Sequence, residues 1–192
     1  MFNRRVIVVG SSTGGTEALK IFLSGMPHDA PPILVTQHMP EAFTRSFIAR
    51  LGSLCKMTVK EAENHEQIRA GTIYIAPGHS HMLLERVPGA TYRISLNREL
   101  PVNCHRPSVE VLFHAAAKVL KNNAVGVMLT GMGKDGAVAM LDMRKAGAYN
   151  FAQDEASCAV FGMPREAITI GAINEIVPLD KMAERVLACL KT

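Results

Sequence analysis

Tryptophan is absent, and seven phenylalanines and three tyrosines are the only aromatics in 192 residues. That is too sparse for the stacking platforms that hold single-stranded nucleic acid. No apolar run approaches the ~18 residues needed to span a membrane. The opening Met1-Phe-Asn-Arg-Arg leads into a strand-like run, so no signal peptide is expected. Cysteine is scarce: Cys55, Cys104, Cys158 and Cys189 form no C-x-x-C and no other zinc-like spacing. Without a secretory signal a disulfide framework is not expected, and the four read as ordinary thiols in or near the core of a cytoplasmic protein. Fifteen glycines and ten prolines are close to average usage, which excludes low-complexity and collagen-like chains. Strong charge of one sign is lacking too. The net +4 mildly favours an acidic partner, but the clustered Lys/Arg of a nucleic-acid footprint is missing.

What is present is ordinary globular material, 48% hydrophobic and 20% charged. The length suits one domain, and such a chain buries roughly 70% of its unfolded surface. Arg5 to Gly10 (RVIVVG) is a continuous apolar run, the mark of a strand covered on both faces and hence of a parallel sheet. Helical spacing follows from Gly14 to about Gly25, with Ala18, Leu19, Phe22 and Leu23 on one face. A second strand, Ile33 to Thr36, ends at Gln37-His38-Met39-Pro40, and a helix runs from about Glu41 to Leu51. Short strand-like pieces then occupy Met57 to Glu61, Thr72 to Ala76, His81 to Glu85 and Thr91 to Leu96. Pro88-Gly89 between the last two predicts an antiparallel hairpin. Pro107 and Ser108 open a helix to about Leu120, with proline in the first turn. A buried strand, Val125 to Thr130, leads through Gly131-Met-Gly-Lys-Asp135-Gly136 to a helix ending at Lys145. Ala148 to Ala152 reads as a strand, Pro164 to Ile170 and Ala183 to Leu190 as helices. The expected fold is a single α/β domain over 1–192, doubly wound, with a mostly parallel sheet, helices on both faces and the hairpin as its irregular part.

In such sheets the site lies at the carboxyl ends of the strands. Three strand ends carry unusual residues: Gly10-Ser11-Ser12-Thr13-Gly14-Gly15, Gln37-His38, and the loop holding Asp135. Serine, histidine and aspartate on one rim are the residue types of a nucleophilic triad. A serine hydroxyl needs a neutral imidazole to take its proton, and a carboxylate to orient that imidazole. Each also has a plainer role. Ser12 could cap the helix after it, His38 could be a satisfied rim histidine, and Asp135 could cap the helix beginning beside it. Nucleotide binding is the alternative, but the glycine loop lacks G-x-G-x-x-G, the second strand ends without Asp or Glu, and no Gly-Lys-Ser/Thr occurs. His79, His81 and His105 lack an accompanying Asp or Cys ligand and read as surface or loop residues, not metal ligands. Arg106 and Arg165, beside prolines, are solvated or steer an acidic partner.

At these loops the sequence resembles the catalytic domain of the chemotaxis protein-glutamate methylesterase (CheB) family. The likeness is carried by Val8-Val9-Gly-Ser-Ser-Thr-Gly-Gly-Thr-Glu-Ala18, Thr36-Gln-His-Met-Pro40, Tyr74-Ile-Ala-Pro-Gly78, Asn103-Cys-His-Arg-Pro-Ser-Val109, Leu129-Thr-Gly-Met-Gly-Lys-Asp-Gly136 and Gln153 through Met163-Pro-Arg-Glu-Ala167, over essentially the whole chain. The resemblance implies a fold distinct from the α/β-hydrolases, and the chain lacks their G-x-S-x-G elbow. It further implies Ser12 as nucleophile, His38 as base and Asp135 as the group orienting it. The backbone N–H groups of Thr13 and Met132 become the oxyanion candidates, and Ser11 should be dispensable. The implied reaction is hydrolysis of glutamate γ-methyl esters on the cytoplasmic helical domain of methyl-accepting chemoreceptors, releasing methanol, with deamidation of receptor glutamines by the same chemistry. No metal or organic cofactor is required. Family members commonly carry an N-terminal phosphoryl-accepting receiver domain over the site. This chain begins just before the first catalytic strand and is read as having none.

Overall fold

The computed structural model describes residues 5–89 and 91–191. The Met1–Arg4 segment, expected not to be a signal peptide, lies outside them, as do Ala90 and Thr192.

Seven strands form one parallel sheet: β1 (Val6–Ser11), β2 (Ile33–Gln37), β3 (Thr58–Glu61), β4 (Thr72–Ile75), β7 (Ala124–Met128), β8 (Tyr149–Gln153) and β9 (Glu175–Val177). Their spatial order is β3-β4-β2-β1-β7-β8-β9. Every pairing is parallel, with Val9 opposite both Val35 and Val127. The alternation of side chains explains the continuous apolar runs. Val6 and Val8 enter one core layer, while Ile7 and Val9 enter the other. Helices α1 (Gly15–Ser24), α2 (Glu41–Gly52) and α6 (Met182–Cys189) cover the second layer. Helices α3 (Val109–Val119), α4 (Ala137–Lys145) and α5 (Met163–Thr169) cover the first, helped by the antiparallel hairpin β5 (His81–Val87) and β6 (Thr91–Asn97). Phe22, Phe113 and Phe151 are fully buried in these layers. Truncating any of them to alanine costs about 3–5 kcal/mol in such surroundings.

The strand-like pieces expected at 57–61 and 72–76 extend the parallel sheet as β3 and β4. Two details depart from expectation. The edge strand β9 was not foreseen: it has three residues, of which only Val177 is buried, and so carries no pattern. Pro107 does not occupy the first turn of α3, whose N-cap is Ser108 with Val109 as first helical residue. No helix among the described residues is long and apolar enough to cross a membrane.

The chain leaves β1 for β2 on one side and later returns to pair β7 on the other. The crevice at the carboxyl ends of β1, β2 and β7 therefore sits where the winding reverses, the position at which doubly wound sheets bind ligands.

Candidate active site

Ser12 follows β1, His38 follows β2, and Asp135 stands in the loop between β7 and α4. Backbone bonds converge on this crevice. Ser12 N–H donates to Thr130 O at 3.0 Å, and His38 N–H donates to Ser11 O at 3.1 Å. A Cβ built on Gly131 would come within 2.8 Å of Ser12 Cβ. Only glycine lets the β7–α4 loop lie this close to Ser12. Thr130 Oγ1 donates to Thr13 O at 3.0 Å and accepts from Val160 N–H at 2.9 Å, joining both loops to the segment before α5.

His38 Nε2 lies 2.7 Å from Asp135 Oδ2. The carboxylate is 2% exposed and collects four further donors: Val109 N–H at 2.7 Å on Oδ2, and Ser108 Oγ at 2.7 Å, Asn103 Nδ2 at 2.9 Å and Glu110 N–H at 3.3 Å on Oδ1. Burial works to raise its pKa, but the bonds from His38, Asn103, Ser108 and Val109 outweigh that and hold it below the ordinary aspartate value. An ionised Asp135 fixes the proton of neutral His38 on Nε2. The buried Nδ1, without a partner among the described residues, then carries the free lone pair. A histidine so held can accept a proton on Nδ1 and share the resulting charge with the carboxylate.

The plainer roles fare differently. Ser12 does not cap α1, whose N-cap is Gly14 and which has no side-chain cap. Asp135 is a cap, but of α3 rather than of α4, which begins beside it. The exchange is reciprocal: Glu110, in the first turn of α3, accepts from Gly136 N–H at 2.9 Å and Ala139 N–H at 3.1 Å at the start of α4. Burial pushes the Glu110 carboxyl above its usual range.

Two histidines read as surface or loop residues belong to the architecture of the site. His105 stacks on His38, with ring centroids 3.6 Å apart and planes within 11°. Burial, followed by repulsion from a charged His38, lowers its pKa. His81 is buried; its Nδ1 accepts from Ser108 N–H at 3.2 Å and its Nε2 donates to Leu100 O at 3.1 Å. Asn103 opens the Asn103–Val109 motif, but no spacing rule marks it as a donor to Asp135. The backbone N–H groups of Thr13 and Met132 are spent on no hydrogen bond among the described residues, and both residues are exposed. Arg106 donates to the carbonyls of Arg98 and Glu99, and Arg165 lies beside Glu166. Cys55, Cys104 and Cys158 are free thiols; Cys104 is exposed rather than near the core. Among the described residues no group of three or more His, Cys, Asp or Glu gathers as for a metal ion.

Residues 7–186 match the family model described as CheB methylesterase. A protein of Nitrosomonas europaea named protein-glutamate methylesterase/protein-glutamine glutaminase is 62% identical over 97% of this chain and 52% of its own length. A Thiobacillus denitrificans protein of the same name is 60% identical over 96% and 52%. The chain thus spans about half the length of the curated relatives it matches. The crystal structure of the Thermotoga maritima CheB methylesterase catalytic domain superposes with a TM-score of 0.93 at 36% identity, covering 96% of this chain and 98% of that one.

Proposed function

The chain belongs to the CheB methylesterase family, and on that footing we propose that it hydrolyses glutamate γ-methyl esters on the cytoplasmic helical domain of chemoreceptors. The observation that carries this reading is the 2.7 Å bond from His38 Nε2 to a buried, ionised Asp135, which leaves Nδ1 as a proton acceptor on the rim that holds Ser12. Ser12 Oγ attacks the ester carbonyl while His38 Nδ1 takes its proton. Asp135 holds the ring and stabilises the imidazolium. The N–H groups of Thr13 and Met132 receive the developing oxyanion, each such donor being worth several kcal/mol in a preorganised site. The tetrahedral intermediate collapses, His38 returns the proton to the departing methoxide, and methanol leaves. Water then attacks the acyl-serine with His38 again as base, freeing the carboxylate. A receptor glutamine follows the same course with ammonia as leaving group, as the names of the relatives suggest.

The described residues supply every group in this sequence of steps, and the proposed reaction calls on no metal or organic cofactor. A groove lined by Thr16, Glu17, Lys20, Met39, Phe43 and Arg50 begins beside the rim, since Met39 follows His38 and Thr16 lies in the first turn after Ser12. Its two cations, one of them paired with Glu17, and the net +4 suit a glutamate-rich helix. The protein accordingly works in the cytoplasm.

The test is methanol release from methylated receptor membranes. The parent chain should release methanol and Ser12→Ala should not. Equal release by both, or none by a folded parent, would overturn the reading.

A further inference from the structure

We propose that Gln37 is a positioning residue for this reaction, its side-chain amide joining the strand end that bears the nucleophile to the strand end that bears the base. The proposal rests on the Ser12–His38 reading. In the sheet, Ser11 and Gln37 are the last register partners of β1 and β2. The final ladder bond runs from His38 N–H to Ser11 O at 3.1 Å. Beyond it no backbone bond joins Ser12 to His38, the two residues whose relative placement the chemistry needs.

Gln37 supplies that connection. It is 4% exposed, and its Nε2 donates to Ser12 O at 2.9 Å and to His38 O at 3.0 Å. Because carbonyl oxygens only accept, the end of the amide facing them must be the nitrogen. Its Oε1 then receives the Ser11 hydroxyl at 2.6 Å, so both hydrogens and the oxygen are engaged. A Cβ built on Gly15 would fall 2.1 Å from Oε1, so any larger residue at the start of α1 would displace the amide. Gln37 touches no reacting atom. It acts through the two carbonyls, and an error of about 1 Å in such a placement can cost ~10²-fold in rate.

Two near-isosteric variants isolate the amide. Gln37→Glu keeps the shape but aims acceptors at two carbonyl oxygens, and Gln37→Met keeps the length with neither donor nor acceptor. On methylated receptor membranes both should lower kcat by about tenfold or more while moving KM by less than about twofold, since a placement defect is felt in the transition state. Covalent labelling of Ser12 by a fluorophosphonate should slow in parallel, at temperatures where circular dichroism shows the native fold. Ser11→Ala retains both donors and should stay within about threefold of the parent. A folded Gln37→Met with kcat within about threefold of the parent would sink the proposal, as would a loss confined to KM. Where Gln37→Glu does not fold, Gln37→Met decides. A parent chain that neither turns over nor labels defeats the esterase reading itself, whereas a working parent with indifferent Gln37 variants defeats only the positioning role.

Discussion

At the scale of single residues, neighbours in the sequence do different work. Ser12 stands at the crevice with its hydroxyl in no hydrogen bond among the described residues, while Ser11 is fully buried with its hydroxyl on Gln37 Oε1. Ser12→Ala should abolish ester hydrolysis without loss of stability. Ser11→Ala should keep most of the activity yet lower stability by about 1–3 kcal/mol, the cost of leaving a buried acceptor unpaired. Turnover and chemical denaturation, measured on both variants, separate the two. Equal activity loss in two folded variants would displace Ser12 as nucleophile. The proposed base makes its own prediction: His38→Ala should remove most of the rate, and a folded His38→Ala with turnover near the parent's would argue against a histidine base.

At the scale of elements, α3 and α4 begin side by side and each takes its cap from the other's first turn or preceding loop. Helix α4 depends on Glu110 for the N–H groups of Gly136 and Ala139. Glu110→Ala should therefore destabilise by ~0.5–2 kcal/mol, the usual value of a cap, with turnover falling far less than in any Asp135 variant. A turnover loss matching that of Asp135→Asn would mean that the two caps act as one unit. This exchange shows what sequence reading reaches and what it does not. The core strands were legible because burial on both faces leaves unbroken runs such as Val6 to Val9, and the helices because one apolar stripe repeats. Ser12, His38 and Asp135 were legible as chemical types at strand ends, and the motifs around them carried the family. The donors to Asp135 were not. Asn103, Ser108 and the start of α3 lie 25 to 32 positions away, brought in by packing that no local periodicity records. The His105–His38 stack and the burial of His81 were lost for the same reason. The membership of β3 and β4 in the main sheet depends on a long crossover, which short strand-like pieces cannot announce.

At the scale of the whole molecule, the proposed mechanism makes Asp135 join fold stability to activity, because one carboxylate both bonds His38 and closes the N-terminus of α3. Asp135→Asn cannot be silent, as it would be for a simple cap where asparagine serves about as well. The amide carries no charge for the imidazolium or the helix dipole, and its nitrogen must face one of five donors. Turnover should fall on the order of 10²-fold or more; the same exchange in a serine protease, a documented case, costs about 10⁴. The pH dependence of stability gives a second reading of the same group. Its folded pKa lies below the ordinary value, so the native state binds this proton less readily than the unfolded chain does. The stabilisation is complete above the unfolded aspartate range and is lost as pH falls through the folded value. Glu110 has the opposite sign, its raised pKa favouring the fold at lower pH, so it must be left intact when Asp135 is tested. The gap in stability between the parent and Asp135→Asn should be widest near neutrality and shrink as the pH falls below the ordinary aspartate range. Denaturation curves for the two chains at several pH values measure that gap directly. A gap that stays constant down to the acid limit would mean that the charge on Asp135 does not hold the helix, and that its lost activity and lost stability have separate causes.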